Sequence, residues 1–302
     1  MRVMVTGAGG QLGRDLIDVL SGIVPPGGLG IPLPGGAPRG FSCDVVPADH
    51  AALDVTRRDM VLAAVEGLRP DVIVHAAAWT AVDACEADPD RAFGVNALGT
   101  RNVAEAARLY HSHVVYVSTD YVFDGRAQIP YVEWDAPNPL SVYGRSKLGG
   151  ERELDSASTI VRTSWVCGAR GANMVHTVIR LAGGPGPLSF VDDQIGSPTF
   201  TADLAGMVAV LATERLPGVY HVTNSGSTSW YGFARAIMEG LGDDPGRVQP
   251  VSTVDLVPPR PAARPANSVL DNAALRLAGL PLLPEWEDGL ARLIGAVVAP
   301  GN

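Results

Sequence analysis

Short apolar runs alternate with segments of helical periodicity through the first half of the chain. Runs of strand length lie at residues 2–6, 44–48, 71–75, 114–118 and 159–163. The segments between them, at 14–20, 56–67, 90–110 and 142–154, have the pattern of helices. Apolar strands that alternate with helices are typical of a parallel sheet with helices on both faces. The pattern predicts an α/β fold with a doubly wound parallel sheet.

The alternation loosens after Trp165. Residues 188–191 and 218–222 are predicted strands, and further helices are expected at 172–182, 201–212, 229–241 and after Trp286. We interpret residues 166–302 as a smaller C-terminal α/β lobe, some elements of which return to the main sheet. Residues 21–43 are rich in Pro and Gly and lack periodicity, which predicts a mobile surface insertion.

Composition excludes several classes of protein. The formal net charge of −9 argues against nucleic acid as a partner, because phosphate neutralisation needs a basic face. No apolar run approaches the ~20 residues of a membrane span, and the chain opens directly into a strand without a signal-peptide pattern. The three cysteines have no metal-like spacing. We therefore expect a soluble, cytoplasmic protein without a disulfide framework or a zinc site.

A glycine-rich turn follows the first strand. Gly7, Gly10 and Gly13 have the spacing GxxGxxG, at the point where a strand passes into a helix. In such a turn the first glycine permits the tight bend, the second the approach of a pyrophosphate, and the third close packing of the helix. The turn, including Gln11 and Leu12, predicts a Rossmann-type dinucleotide-binding domain over residues 1–165.

Further cofactor contacts are expected where the next strands end. Small residues at a strand end leave room for a dinucleotide, and an acidic residue there binds ribose hydroxyls or meets the adenine. The residues expected to contact the cofactor at the strand ends are Asp49, Asp54, Val55, Ala76, Ala77 and Ala78. Asn96, on the inner side of the 90–110 helix, is a further candidate. Asp49 favours a free ribose 2′-hydroxyl, whereas Arg14, His50, Arg57 and Arg58 are candidates for binding a 2′-phosphate. The sequence leaves NADPH and NADH both open.

The candidate chemistry lies between residues 114 and 147. Tyr143 and Lys147 are one helical turn apart, so both side chains leave one face of the helix. An ammonium beside a phenol favours the phenolate and would lower the pKa of Tyr143, which would then protonate a developing alkoxide. Thr119, at the end of the preceding strand, is expected to donate a hydrogen bond to the same oxygen.

Longer motifs identify a family. Residues 117–125 read VSTDYVFDG, 139–147 read PLSVYGRSK, 162–166 read RTSWV, 192–199 read DDQIGSPT and 264–268 read RPANS. Together with the glycine turn they resemble the dTDP-4-dehydrorhamnose reductase family of extended short-chain dehydrogenase/reductases. The resemblance covers most of the chain except residues 21–43.

The resemblance implies NADPH-dependent reduction, with NADH also possible, of C4 in a dTDP-linked 4-keto-6-deoxy sugar, 4-dehydro-6-deoxy-L-mannose, to L-rhamnose. Tyr143 would be the general acid, with Lys147 holding the nicotinamide ribose and Thr119 binding the carbonyl oxygen. Asp120, Tyr121 and Trp165 would lie beside the sugar, and Arg264 would meet the diphosphate. A monomer or a homodimer is expected.

The sequence departs from the family pattern at two places, and three alternative functions stay open. Some members of the family dimerise around a magnesium ion held by acidic residues of the first and last helices. Here Asp15 of the first helix is acidic, but residues 291–298, taken as the last helix, contain no carboxylate. No metal is therefore predicted. Met174 stands where an aromatic residue is common. The alternatives are a paralogous ketosugar reductase such as dTDP-L-dihydrostreptose synthase in antibiotic biosynthesis, a non-catalytic nucleotide-binding regulatory subunit, and an epimerase or dehydratase.

Overall fold

The structure, a computed structural model, describes residues 1–28 and 41–298. The strands of this part of the chain are β1 (Arg2–Thr6), β2 (Asp44–Ala48), β3 (Val72–His75), β4 (His113–Thr119), β5 (Thr159–Thr163), β6 (Val166–Cys167), β7 (Leu188–Val191), β8 (Ile195–Gly196), β9 (Thr199–Phe200), β10 (Gly218–His221), β11 (Asn224–Ser225), β12 (Thr228–Ser229), β13 (Val248–Val251) and β14 (Leu283–Glu285).

The helices are α1 (Gln11–Leu20), α2 (Arg58–Leu68), α3 (Val82–Ala87), α4 (Pro89–Phe93), α5 (Gly99–Tyr110), α6 (Val142–Glu151), α7 (Met174–Ala182), α8 (Thr201–Thr213), α9 (Trp230–Gly240), α10 (Ala273–Leu277) and α11 (Trp286–Val298). Gly94–Leu98 forms a π-helical turn between α4 and α5, and Asp120–Val122 a 3₁₀ turn after β4. In the described residues no helix is long and apolar enough to cross a membrane.

Six parallel strands form the central sheet in the order β10-β5-β4-β3-β1-β2 within the described residues. The predicted doubly wound α/β fold is confirmed. The sixth strand, β10, comes from the C-terminal half and pairs with β5. Register places Thr6 beside His75 and Thr119 beside Thr163, so the carboxyl ends of the strands lie along one edge of the sheet.

Successive residues of the strands enter opposite faces of the sheet, as the two-residue period of a strand requires. Val3 and Val5 pack with α1 and α8, whereas Met4 packs with α2 and α5. The same alternation recurs in β3, where Ile73 faces the second group of helices. Because both faces are covered, strands that are apolar throughout are the ones that fit this sheet.

The second lobe has a separate hydrophobic core, next to the carboxyl edge of the central sheet. Helices α7, α9 and α11 bury an aromatic and aliphatic cluster consisting of Val175, Val178, Phe233, Ile237, Trp286, Leu290 and Leu293. Strand β7 pairs with β13, and β6 with β9, as small two-stranded sheets. This lobe therefore stands beside the carboxyl ends of β1, β4 and β5 and forms one wall of a cleft.

Several local expectations were wrong. The single helix over 90–110 is broken by the π-helical turn. The sequence TRRD at 56–59 predicts a capping box in which Thr56 caps α2, but the Thr56 hydroxyl donates to Asp54 Oδ1 (2.8 Å) and Arg57 is the N-cap. The last helix begins at Trp286 and carries two carboxylates, Glu287 and Asp288, in its first turn. Of the predicted insertion 21–43, residues 29–40 lie outside the described residues.

Candidate active site

The glycine turn connects β1 with α1 at the edge of the cleft. Gly7 has a φ of +69°, and a Cβ there would lie 2.7 Å from the Ala77 nitrogen. A Cβ on Gly13 would overlap with the Gly7 carbonyl oxygen. Gly10 is the N-cap of α1 and provides no side-chain cap, so the first backbone N–H groups of the helix are available to an anionic ligand. The residues present therefore fit a dinucleotide pyrophosphate.

Most of the predicted cofactor residues surround this turn. A cleft of about 400 Å³ is lined on the cofactor side by Gly7, Gly10, Gln11, Leu12, Gly13, Ala76 and Ala78. It continues into a groove lined by His50, Asp54, Val55, Ala76, Ala77 and Ala78, where the adenosine end of a dinucleotide would lie. Gln11 also joins the two lobes, since its amide donates to Ala172 O (2.9 Å) and accepts from Asn173 Nδ2 (2.8 Å).

Two predicted cofactor residues have structural partners instead. Asp49 Oδ1 accepts a hydrogen bond from Ala52 N (2.9 Å) and so holds the turn after β2. Asn96 is fully buried in the π-helical turn, where its amide bonds both the N–H and the carbonyl of Trp79 (2.8 and 3.1 Å) and donates to Ser146 Oγ (2.9 Å). Asn96 therefore positions the segment after β3 and the helix α6 together.

Two candidates for binding a 2′-phosphate have protein partners, and a third lines the adenosine groove. Arg14 Nε donates to Gly9 O (3.1 Å), and Arg58 pairs with Glu105 of α5 through Nε (2.7 Å). His50 lines the adenosine groove.

Thr119, Tyr143 and Lys147 line the same cleft. Thr119 is the last residue of β4, and Ser141 caps α6 by accepting from Gly144 N (3.1 Å), which starts the helix two residues before Tyr143. A Cβ on Gly144 would overlap with the Tyr121 carbonyl oxygen. Glycine at this position allows α6 to approach the end of β4, which is how the Tyr and Thr side chains meet. This role of Gly144 has no signal in the sequence.

The Lys147 ammonium is bound beneath the cleft. Its Nζ donates to Val117 O (2.6 Å) and lies 4.0 Å from the centroid of the buried Tyr116 ring. Burial lowers the pKa of Lys147 to about 7, and the Glu151 carboxylate one helical turn away opposes this. Tyr116 was not identified from the sequence, because a tyrosine in a strand carries no local pattern that predicts a cation over its ring.

The expected effect of Lys147 on Tyr143 is not found. Burial raises the pKa of Tyr143 well above its usual value; the nearby Asp120 and Tyr121 raise it further, and the neighbouring Thr119 hydroxyl opposes them. Because the ammonium is directed at Val117 O, it does not act on the phenol here. Tyr143 thus keeps its proton at neutral pH and is available as a proton donor.

Thr119 also differs from expectation. Its hydroxyl donates to Asp120 Oδ1 (3.0 Å) and accepts from Tyr121 N (3.2 Å). The hydrogen expected to bind a substrate carbonyl is therefore directed to the neighbouring carboxylate. Asp120 itself is 2% exposed and lines the cleft.

The remaining predicted residues lie on the far wall. The Trp165 indole stacks on that of Trp230 with the ring centroids 3.6 Å apart and the planes 8° from parallel. Both rings line the cleft, but Trp230 had no sequence signal beyond its place at the start of a helix. Gly196 leaves space for the Trp165 ring, where a Cβ would lie 2.5 Å from the indole.

Arg264 is held by an acidic residue from the other half of the chain. Its guanidinium makes two hydrogen bonds to Asp83 (2.9 and 2.7 Å), and these lower the pKa of that carboxyl to about 2. A second cavity, which shares Tyr121 and Trp230 with the first, is lined by Arg260, Arg264, Gln194, Phe190 and Met174. The first cavity therefore adjoins the second through Tyr121 and Trp230, and the adenosine groove through Ala76 and Ala78.

No group of His, Cys, Asp and Glu in the described residues has the arrangement of a metal site. Asp15, the acidic residue of the first helix, pairs instead with Arg170 (2.5 Å) and accepts from the Thr201 hydroxyl. The sequence TAD at 201–203 predicts a cap for α8, but Phe200 is the N-cap and the Thr201 hydroxyl donates to Asp15.

The similarity to known proteins covers nearly the whole chain. The family model described as the RmlD substrate binding domain matches residues 1–298. A dTDP-4-dehydrorhamnose reductase of Streptomyces griseus is 40% identical over 305 residues, covering 98% of this chain and 94% of that protein. A dTDP-4-keto-6-deoxy-D-glucose reductase of Streptomyces niveus is 38% identical over 295 residues, covering 96% of each.

A solved structure extends the agreement to three dimensions. The dTDP-4-dehydrorhamnose reductase of Bacillus anthracis, crystallised in complex with NADP, superimposes with a TM-score of 0.85 at 41% identity, covering 97% of this chain and 98% of that one. The resemblance inferred from the motifs is confirmed, and the chain belongs to the RmlD substrate binding domain family, together with the dTDP-4-dehydrorhamnose reductases.

Proposed function

We propose that this protein reduces the C4 ketone of dTDP-4-dehydro-6-deoxy-L-mannose with NADPH and forms dTDP-L-rhamnose. The observation that carries the proposal is the convergence of Thr119, Tyr143 and Lys147 in one cleft with the glycine turn at its other side. The relatives named above are reductases of dTDP-linked ketosugars, and the Bacillus anthracis structure holds NADP.

NADPH would lie along the carboxyl edge, with its pyrophosphate at the N-terminus of α1 and its adenosine in the groove beside His50. When bound, it supplies the hydride that forms the new C–H bond at C4. Asp49 is committed to its own turn by the bond from Ala52 N, which reduces its value as a ligand for a free 2′-hydroxyl and favours NADPH.

Tyr143 supplies the proton in this mechanism. As C4 gains hydrogen, the electron pair of the carbonyl π bond moves to oxygen and takes the phenolic proton, which leaves a phenolate that regains a proton from solvent. Lys147 would hold the nicotinamide ribose from the base of the cleft, where its ammonium is bound to Val117 O. Burial excludes water from these groups, so each charge acts through a medium less polar than water.

The second cavity would hold the nucleotide end of the substrate. Arg260 and Arg264 line it, and the planar fork of Arg suits a diphosphate. Because the fork of Arg264 is bound to Asp83, a diphosphate would have to share or replace those hydrogen bonds. Trp230 and Tyr121, shared by both cavities, lie where the diphosphate would join the sugar. The three free cysteines are compatible with a reducing cytoplasm, where we place the reaction.

The sugar is the part of the proposal that needs a direct test. The two Streptomyces relatives differ in their named sugars but are 40% and 38% identical to this chain, so identity does not discriminate between them. Purified enzyme is given NADPH with each dTDP-4-ketosugar in turn, and oxidation of NADPH is followed. We expect the highest kcat/KM with the 6-deoxy-L-mannose compound.

Other outcomes would contradict the proposal. Turnover of the D-glucose-derived ketosugar or of the dihydrostreptose precursor alone would assign a paralogous reductase. NADPH binding without turnover of any ketosugar would indicate the regulatory subunit. Conversion of a sugar without net NADPH oxidation would indicate an epimerase or dehydratase.

The glycine turn yields a prediction about cofactor affinity. In Gly13→Ala the added methyl meets the Gly7 carbonyl oxygen, so either the turn or α1 must shift. Overpacking of this kind costs about 1–3 kcal/mol, and we expect NADPH to bind roughly 10- to 100-fold more weakly. Fluorescence titration measures the affinity. Gly67→Ala, where a Cβ meets nothing within 4 Å, is the matched control and should bind NADPH normally. Unchanged affinity in Gly13→Ala would refute the assignment of this turn.

A further inference from the structure

We infer that Asp120 is a positioning residue that, when it carries a proton, releases the hydrogen of the Thr119 hydroxyl toward the substrate carbonyl. The inference rests on the proposed reductase function and names a residue that governs its proton-donor geometry. It follows from counting the hydrogen bonds available to one hydroxyl group.

A threonine hydroxyl has one hydrogen to donate and two lone pairs that accept. Tyr121 N occupies one lone pair of Thr119 at 3.2 Å. An ionised carboxylate can only accept, so in that state Asp120 Oδ1 takes the single hydrogen of Thr119 across 3.0 Å. In this arrangement Thr119 has no hydrogen left for a substrate.

Protonation of Asp120 reverses the direction of this bond. The carboxyl O–H then donates to the second lone pair of Thr119, and the Thr119 hydrogen is free to turn elsewhere. Tyr143 lines the same cleft as Thr119, and the nearby Thr119 hydroxyl is among the groups that lower the pKa of the phenol. The substrate oxygen would lie between these two hydroxyl groups, where it accepts from both.

Electrostatics act in the same direction. The Asp120 charge is one of the causes that raise the pKa of Tyr143, so neutral Asp120 makes the phenol a stronger acid. A proton on Asp120 therefore both releases a donor and removes a charge that opposes phenolate formation.

The surroundings of Asp120 make protonation accessible. Burial raises the pKa of Asp120 to about 6, while Ser268, Thr119 and backbone N–H groups oppose the shift. The titratable groups that face it are Tyr121 of its own segment and Tyr143 of α6, and in the described residues no Lys or Arg is paired with it. Its buried Oδ2 makes no hydrogen bond of normal geometry within that part of the chain.

The first test is the pH dependence of kcat for Asp120→Asn, measured by NADPH oxidation between about pH 5 and 9. The asparagine N–H donates to Thr119 at every pH, whereas wild-type Asp120 loses its donor as pH rises through its pKa. We expect the wild-type alkaline limb to contain two ionisations, Asp120 and Lys147, and the variant to retain only the second. Glu133→Gln is the control: Glu133 is also buried, with one oxygen that has no hydrogen-bond partner among the described residues, but it lies outside the cleft lining.

The second test is a double-mutant cycle with Thr119→Val. If Asp120 acts through Thr119, Asp120→Ala leaves the Thr119 hydrogen free at every pH and raises kcat at about pH 8 by roughly tenfold in wild type, but changes it by less than about threefold in the Thr119→Val background. KM for the sugar should change little. NADPH titration confirms that each variant keeps its fold, and Asp120→Asn decides the question alone if the alanine variant does not.

Three results would overturn the inference while leaving the reductase function intact. They are an unchanged pH profile in Asp120→Asn, effects of Asp120→Ala and Thr119→Val that multiply, and a rise in KM at constant kcat, which would mean direct contact with the sugar. Absence of turnover by the wild-type protein with any ketosugar would instead remove the proposed function and this inference together.

Discussion

Tyr143→Phe is expected to lower kcat by about 100- to 10,000-fold, the usual contribution of a general acid, while NADPH affinity stays within about threefold. The substitution removes one oxygen from a side chain that is 9% exposed and leaves its packing unchanged. In this structure the Tyr143 hydroxyl makes its interactions with Thr119 and the cleft, so the ring alone should hold α6 in place.

The measurement pairs steady-state kinetics with fluorescence titration of NADPH. Tyr220→Phe is the matched control, because Tyr220 is equally buried and its hydroxyl donates only to Pro217 O (3.3 Å), away from the cleft. That control should keep wild-type kcat. A Tyr143→Phe enzyme with more than about a tenth of the wild-type kcat would show that another group protonates the sugar.

Arg162→Met is expected to destabilise the protein by about 3–5 kcal/mol, the largest effect on stability that we predict. Arg162 and Glu151 form a bidentate pair (3.0 and 2.7 Å) in which each side chain is 5% exposed. Glu151 also accepts from the Ser118 hydroxyl (2.5 Å). Loss of the guanidinium leaves a carboxylate charge buried without its partner, whereas methionine fills much of the space.

Urea unfolding with linear extrapolation measures the change in the free energy of unfolding. Arg101→Met provides the comparison, because Arg101 and Glu153 make the same bidentate contact at 2.8 Å but Arg101 is 58% exposed. A solvated pair contributes about 0–1 kcal/mol, so the control should unfold nearly as wild type does. Equal losses of unfolding free energy in Arg162→Met and Arg101→Met would show that a buried unpaired carboxylate costs no more stability than an exposed one.

The same pair affects the chemistry. Glu151 lies one helical turn beyond Lys147 and raises the pKa of that ammonium against the effect of burial. Arg162 anchors Glu151 from β5, so the central sheet holds the charge that helps Lys147 remain protonated. The buried network of Arg162, Glu151 and Lys147 therefore contributes both to the stability of the fold and to the charge of Lys147.

The sequence determined the framework because each part of it is a local pattern. Apolar strands and periodic helices predicted the doubly wound fold, the spacing of Gly7, Gly10 and Gly13 predicted the turn, and Tyr143 with Lys147 share a helix face through their separation alone. The fold and the family are confirmed. The roles of the site residues stay predictions until they are measured.

The tertiary structure decided what each polar group binds. Arg264 meets Asp83 across 181 positions, Lys147 lies on the Tyr116 ring, and Trp165 stacks on Trp230. No local pattern specifies such pairs, since they depend on how strands, helices and the second lobe come together. The direction of the Thr119 hydrogen is a further case: adjacency to Asp120 is visible in the sequence, but the burial that raises the Asp120 pKa belongs to the folded protein.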